Sequence, residues 1–161
     1  MSQRPGDAGP DQAGLVRVVS AGDLDRLMEI EDLAFGSEAW TREMVKAEIT
    51  GPYRRYVGAE RDAGLIGYAG VFLGLDAAEI MTIAVDPAWR GRGCGRQLLG
   101  ALLAAVRAAG LGRVMLEVAE GSNAAIGLYR SSGFEPIGRR RAYYQPSGRD
   151  AIVMRLDLGR R

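Results

Sequence analysis

The sequence predicts a mixed α/β (α+β) domain, one sheet with helices on its faces. Three observations predict it. Apolar stretches at residues 53–60, 65–73 and 77–85 follow one another across short turns, as consecutive strands do. A long helical stripe, residues 97–109, comes after the third of them. Two further strand-like stretches, residues 135–144 and 151–156, close the chain as an antiparallel pair around Pro146-Ser147-Gly148. The full order reads β-α-α-β-β-β-α-β-α-β-β, a layered mixed sheet and not a doubly wound alternation.

Each element has its local reason. Residues 1–14 are polar and rich in Gly, Pro, Asp and Gln, and are expected to be a disordered tail. A short strand covers residues 15–19. Asp23 opens a helical run with apolar Leu24, Leu27, Met28 and Ile30, ending near Phe35-Gly36. Trp40-Thr41 opens a second short helix with Thr41 as its N-cap. Residues 61–64 and 74–76 turn the chain between the three central strands. The 97–109 helix repeats Leu98, Leu102, Val106 and Leu99, Leu103, a broad apolar stripe, and Gly110 ends it. Residues 113–118 form a strand with Val114, Leu116 and Val118 on one face. Ser122 or Asn123 caps a helix through Tyr129, and Gly133 stops it. No internal repeat is present.

Composition narrows the chemistry. At 161 residues the chain reads as one domain over residues 15–161, large enough to bury its own core. A formal charge of +1 gives no field for steering nucleic acid or an anionic membrane. Twenty arginines face a single lysine, Lys46; the bias suits bidentate phosphate and carboxylate contacts, and genome composition produces it equally well. One cysteine excludes an internal disulfide and a cysteine-based metal cluster. Histidine is absent, so imidazole triads, imidazole metal sites and imidazole acid–base catalysis are all excluded. Proton transfer falls to carboxylate, tyrosine, water or backbone. The N-terminus carries no basic-then-apolar signal, and residues 98–106 are too short for a membrane span. A cytoplasmic enzyme without metal is the expectation.

The most informative stretch is Val85-Asp86-Pro87-Ala88-Trp89-Arg90-Gly91-Arg92-Gly93-Cys94-Gly95-Arg96. A strand runs into alternate glycines and arginines, and a helix follows. The free N–H groups of a helix's first turn point at an anion, and the peptide dipoles favour negative charge there. Glycine lets the backbone approach the ligand and take positive φ. The nucleotide P-loop pattern fails for want of a lysine, and the dinucleotide fingerprint puts Arg96 where its third glycine belongs. Glu117 stands about 20 residues on, where a ribose-binding acid belongs, so the dinucleotide reading is weakened and not closed. Arg90-Gly91-Arg92-Gly93-Cys94-Gly95 fits Arg/Gln-x-x-Gly-x-Gly/Ala without exception.

That loop resembles the coenzyme A pyrophosphate loop of the GNAT superfamily of acyltransferases. The resemblance extends over about residues 15–158, through Leu128-Tyr129-Arg-Ser-Ser-Gly133-Phe134 and the strand between. Within the superfamily the chain is similar to the RimI-type ribosomal-protein N-α-acetyltransferases. Leu116-Glu117-Val118, the Ser122-Asn123-Ala-Ala run, Arg140-Arg141-Ala142-Tyr143-Tyr144 and Asp150-Ala151-Ile-Val-Met154 carry that closer likeness. The resemblance implies a GNAT fold, a mostly antiparallel sheet of six to seven strands with about four helices. It implies acetyl-CoA as co-substrate, direct transfer in a ternary complex, and a protein N-terminus as acceptor, a small-subunit ribosomal protein beginning with Ala. A monomer acting without nucleic acid or membrane follows from the same reading.

Acetyl transfer to an amine needs a neutral nucleophile, donors for the developing oxyanion and a proton for the leaving thiolate. Glu117 is the expected general base, although a surface acid paired with one of the many arginines would look the same in sequence. Tyr129 is the expected general acid, although a Leu-Tyr step also packs a helix on a sheet. Ile83, Ala84 and Val85 are expected to offer backbone groups to the acetyl and pantetheine portions. Gly91, Arg92, Gly93, Cys94, Gly95 and Arg96 are expected to hold the pyrophosphate. Asn123 is a pantetheine contact by resemblance, but the family spaces its Asn five residues after the base and Asn123 stands six after Glu117, so Ser122 takes that slot. Cys94 reads as a small packed hydrophobe at a helix start, a position that lowers a thiol's pKa. Arg139-Arg140-Arg141 reads as a solvated face, and Tyr143 and Tyr144 either shape a peptide groove or edge the core. Three other readings remain at this stage: a GNAT enzyme acting on a small amine, a non-catalytic CoA-binding sensor and a dinucleotide-dependent oxidoreductase.

Overall fold

The computed structural model describes residues 14–62 and 64–159. The tail expected over residues 1–14 lies outside them, apart from Gly14. Seven strands form one sheet: β1 (Leu15–Val18), β2 (Arg54–Arg61), β3 (Gly64–Leu73), β4 (Ala78–Val85), β5 (Arg113–Ala119), β6 (Glu135–Arg140) and β7 (Ala151–Asp157). Their spatial order is β1-β2-β3-β4-β5-β7-β6. Every neighbouring pair is antiparallel except β4 with β5, which the intervening helix makes parallel. The helices are α1 (Leu24–Phe35), α2 (Arg42–Thr50), α3 (Cys94–Ala108) and α4 (Asn123–Ser131). Element order and sheet type are those predicted.

Two apolar clusters hold the helices on opposite faces. Leu98, Leu99, Leu102 and Val106 of α3 pack on Ile66, Val71, Ile80, Val114 and Leu116, with Tyr129 of α4 and Met154 in the same cluster. Leu27 and Ile30 of α1 and Val45 of α2 pack on Tyr56, Leu65 and Tyr68 from the other side. Each fully buried leucine contributes about 1.5–3 kcal/mol relative to exposure. β3 is covered on both faces, so Leu65 to Val71 are all buried and the strand reads as a continuous apolar run.

Several boundaries differ from the sequence reading, for local reasons. α3 begins at Cys94, three residues before the expected start, because its leucine stripe begins only at Leu98 and the first turn is the glycine-arginine run itself. α4 continues to Ser131. β6 stops at Arg140 rather than 144, because Ala142 takes φ 49° and its N–H donates to Asp150 Oδ1 at 2.9 Å, turning the chain away. Thr41 caps α2 as expected, accepting from Met44 N–H at 3.2 Å.

The sheet has one irregularity between β4 and β5. Their pairing covers only Ala78, Glu79 and Ile80 against Val114, Met115 and Leu116. Met81 is then an extra residue in the β3–β4 ladder, since Val71 pairs with Ile80 and Gly70 with Thr82. A bulge of this kind bends its strand. β4 continues beside β3 and β5 beside β7, so the sheet parts beyond Ile80 and Leu116.

Candidate active site

The glycine-arginine turn sits at the end of β4, against this parting. Gly91 and Gly93 take φ of 76° and 83°, the left-handed conformation that an L side chain adopts only at a cost. Gly93 is the N-cap of α3, and the first helical bond runs from Gln97 N–H to the Gly93 carbonyl at 3.0 Å. The N–H groups of Cys94, Gly95 and Arg96 precede that bond and stay outside the helical ladder. Gly95 faces α4 closely; a Cβ there would meet Leu128 Cδ2 at 3.2 Å. The arginines divide their work. Arg96 donates to Ser131 at 2.9 Å, whereas the Arg92 guanidinium lies 4.8 Å from the Trp89 ring centre.

A cleft of about 780 Å³ opens beside this turn and runs between β4 and α4. It brings together Ile83, Ala84, Val85, Gly91, Gly93, Cys94, Gly95, Arg96, Asn123 and Tyr129, with Ser122 beside Asn123. Phe35 from the end of α1 and Arg149 from the β6–β7 loop complete its rim. Arg92 and Glu117 are not among its lining residues. A larger concavity of about 1010 Å³ at the opposite end of the sheet, around Arg107, Gly110 and Arg113, holds none of the predicted residues.

Tyr129 is nearly buried, its ring edge-on to Phe134 with centroids 5.7 Å apart. Burial, and after it the neighbouring Tyr144, hold its phenol above the ordinary tyrosine range, so it keeps its proton at neutral pH. Cys94 is buried, and burial pushes its thiol up to about 11. The lowering expected at a helix start is overridden by desolvation, which disfavours the thiolate more than the dipole favours it. Ser122 is the N-cap of α4 without a side-chain cap bond, and Asn123 is the first helical residue.

Glu117 is the first β5 residue beyond the end of its pairing with β4. Val114, Leu116 and Val118 turn to the α3 side, so Glu117 faces the α1–α2 side, opposite the glycine turn. Its side chain is 14% exposed and pairs with Arg140, whose Nε donates to Oε1 at 2.9 Å. Around it stand Tyr143, Tyr144 and Glu79. Hydrogen bonding to Glu117 is the main cause that raises the Tyr143 phenol. Burial first, then the charge of Glu117, push Tyr144 up to about 12. Tyr144 thus feels the charge of Glu117 and itself raises Tyr129, so it stands between the two predicted catalytic residues. Glu79 remains open to solvent; desolvation and then the Glu117 charge nevertheless raise its carboxyl.

The molecule therefore offers a turn of free backbone amides on one face and a carboxylate on the other, with a parted sheet between them. A family model for the acetyltransferase (GNAT) family matches residues 24–134. The chain belongs to the GNAT acetyltransferase family. Among GNAT relatives, it is 42% identical over 149 residues to the N-alpha-acetyltransferase RimI of Mycobacterium tuberculosis, covering 89% of this chain and 92% of that one. It is 32% identical over 147 residues to the [ribosomal protein bS18]-alanine N-acetyltransferase of Haemophilus ducreyi, covering 89% of this chain and all of that one. Its structure is similar to the crystal structure of the ribosomal-protein-S18-alanine N-acetyltransferase from Escherichia coli, with a TM-score of 0.83, 30% identity, and coverage of 91% and 95%. Membership sets aside the dinucleotide-dependent reading.

GNAT acetyltransferases use acetyl-CoA, and this site fits that co-substrate. The free amides of Cys94, Gly95 and Arg96 suit a diphosphate, and the apolar cleft between Val85 and α4 suits an extended arm. Sequence reasoning missed two features. Arg140 was read with its neighbours as a solvated face; it is exposed, but it is also the partner of Glu117. Glu79 drew no attention, although a lone acid in the apolar run Ala78-Glu79-Ile80 was a visible signal. Among the described residues no group of three or more His, Cys, Asp or Glu side chains is placed to hold a metal, and no helix is long and apolar enough to cross a membrane.

Proposed function

We propose that this chain transfers acetyl from acetyl-CoA to the N-terminal α-amine of a protein, with the N-terminal alanine of ribosomal protein bS18 as acceptor. One observation carries the reading: Glu117 stands where β5 leaves β4, on the face opposite the glycine turn. An amine reaching the parting from the α1–α2 side meets this carboxylate before it meets the donor. Acetyl-CoA supplies an activated thioester. Glu117 takes the ammonium proton, directly or through water, and frees the nitrogen lone pair. A carbon–nitrogen bond forms and the carbon–sulfur bond breaks. Tyr129, protonated at neutral pH, holds the proton that the departing sulfur accepts. Backbone groups of Ile83 to Val85, on the bared edge of β4, hold the arm and the acetyl carbonyl. Gly91 to Arg96 grip the diphosphate.

The acceptor rests on the activities named for the relatives. The test is turnover of Glu117→Gln with a peptide carrying the N-terminal sequence of bS18. A loss of about a hundredfold with acetyl-CoA binding retained supports the reading, and near-normal turnover across pH overturns it. A second reading has one observation in its favour. Glu48 and Glu117 both act on Glu79, so the acceptor side is acid-lined, as a small polyamine acceptor would require. Parallel assays with the peptide and with spermidine separate the two.

A further inference from the structure

We propose that Arg140 is a positioning residue of the acceptor site, a built-in counterion that occupies one oxygen of Glu117 and weakens its hold on the incoming ammonium. The proposal rests on Glu117 being the base. Arg140 is the last residue of β6, and β7 lies between β6 and β5 in the sheet. Its guanidinium spans that strand to place Nε 2.9 Å from Glu117 Oε1. The reach is guided at two points. Arg140 pairs with Ala151 of β7, whose side chain is small, and its guanidinium carbon lies 5.8 Å from the Tyr143 ring centre. Its neighbours face other acids: Arg139 pairs with Glu120 and Asp150, and the Arg141 charge acts on Asp150.

The surroundings show why a counterion is needed. β4 and β5 run parallel with Glu79 opposite Met115, so Glu79 and Glu117 share a face one diagonal step apart. Two carboxylates there would bind an ammonium tightly as an ion pair. An ammonium held that way keeps its proton, and only the neutral amine attacks. Arg140 opposes this. Its charge works against the elevation of both the Glu79 carboxyl and the Tyr143 phenol. Arg140 engages Oε1 and Tyr143 hydrogen-bonds to the same carboxylate, so the incoming amine meets a Glu117 already partnered, with one cation offsetting the two acids. Binding energy that would stabilise the ground state is thereby withheld.

The test is steady-state kinetics of Arg140→Lys, Arg140→Gln and Arg140→Ala in the full chain, with acetyl-CoA and the bS18 N-terminal peptide. Gln and Ala remove the charge: acceptor KM should fall about fivefold and kcat about tenfold together, the pattern of a strengthened ground state. Lys keeps the charge without the planar fork: acceptor KM should return toward wild type while kcat stays reduced. The KM for acetyl-CoA should stay within twofold in all three variants, since the diphosphate turn is on the other face. An unchanged or raised acceptor KM in Gln and Ala, or a Lys variant indistinguishable from Ala, overturns the assignment. A purely structural role would raise KM or lower melting temperature without this split. Glu117→Gln is measured alongside. If it keeps wild-type turnover, the base reading falls; if it loses turnover while the Arg140 variants behave as wild type, only the Arg140 assignment falls.

Discussion

Glu38 accepts hydrogen bonds from both Ser147, at 2.6 Å, and Arg149, so the turn after α1 is tied to the β6–β7 loop across 109 positions of sequence. Arg149 also reaches the Glu120 carbonyl at 3.4 Å and lines the rim of the cleft. The contact therefore ties down one part of the cleft's rim. Hydrogen bonding from Arg149 and then Ser147 holds the Glu38 carboxyl below its usual range. Glu38→Ala frees Arg149 at this rim and should raise the KM of the substrate that passes it about fivefold, the size of a partly exposed pair of about 1 kcal/mol. Initial-rate kinetics with each substrate varied in turn checks this.

Tyr129→Phe removes a hydroxyl and keeps the ring that packs on Phe134. Turnover should fall by about tenfold to a hundredfold, while melting temperature and acetyl-CoA affinity stay near wild type. Burial keeps the phenol protonated, so this residue should add no basic limb to the wild-type pH–rate profile between pH 6 and about 9. Rates of the two proteins across that range provide the check.

Gly93→Ala and Gly100→Ala should act in opposite directions. A Cβ at either position meets nothing within 4 Å, so backbone conformation alone separates them. Gly93 has φ 83°, where alanine costs about 1–2 kcal/mol. Gly100 is inside α3, where alanine gains about 0.5–1 kcal/mol. Melting curves should shift down for the first and up for the second. Added acetyl-CoA should raise the melting temperature of Gly93→Ala less than that of wild type, because the amide turn is displaced.

Glu31 is a carboxyl sealed in the core, accepting from Tyr68 Oη and from Trp40 N–H at 2.9 Å. Burial raises it above the ordinary carboxylate range, against the pull of those two bonds. The folded chain therefore keeps this proton to a higher pH than the unfolded chain. Its contribution to stability is complete below the unfolded value of about 4.3 and is lost as pH rises through the raised folded value. Glu31→Gln should compare most favourably with wild type near neutral pH, and the advantage should shrink toward pH 4. Glu31→Ala leaves both donors unsatisfied and should cost about 2–3 kcal/mol. Denaturant unfolding at several pH values measures both.

The sequence carried the order of elements because periodicity is a local signal: Leu98, Leu102 and Val106 announce α3, and Val114, Leu116 and Val118 announce a one-sided strand. The glycine-arginine turn was legible for the same reason, being one continuous stretch whose residue types state its backbone conformation. The Glu117–Arg140 pair was not. Its partners are on β5 and β6, and only the interposition of β7 decides that they meet. The elevated thiol of Cys94 was likewise invisible, since a helix-start position can be read from sequence and the burial that overrides it cannot. The end of β6 turned on Asp150, ten residues past Arg140, capturing the Ala142 amide.

The parting of β4 from β5 leaves two unzipped strand borders facing each other in the interior. Such borders recognise an extended chain by its main-chain groups, whatever side chains it carries. On the proposed reading, the acyl carrier is held by main-chain groups, while the amine meets side chains of β4, β5 and β6. On that plan a lineage changes its clientele by redrafting those side chains while its grip on the carrier passes down unaltered.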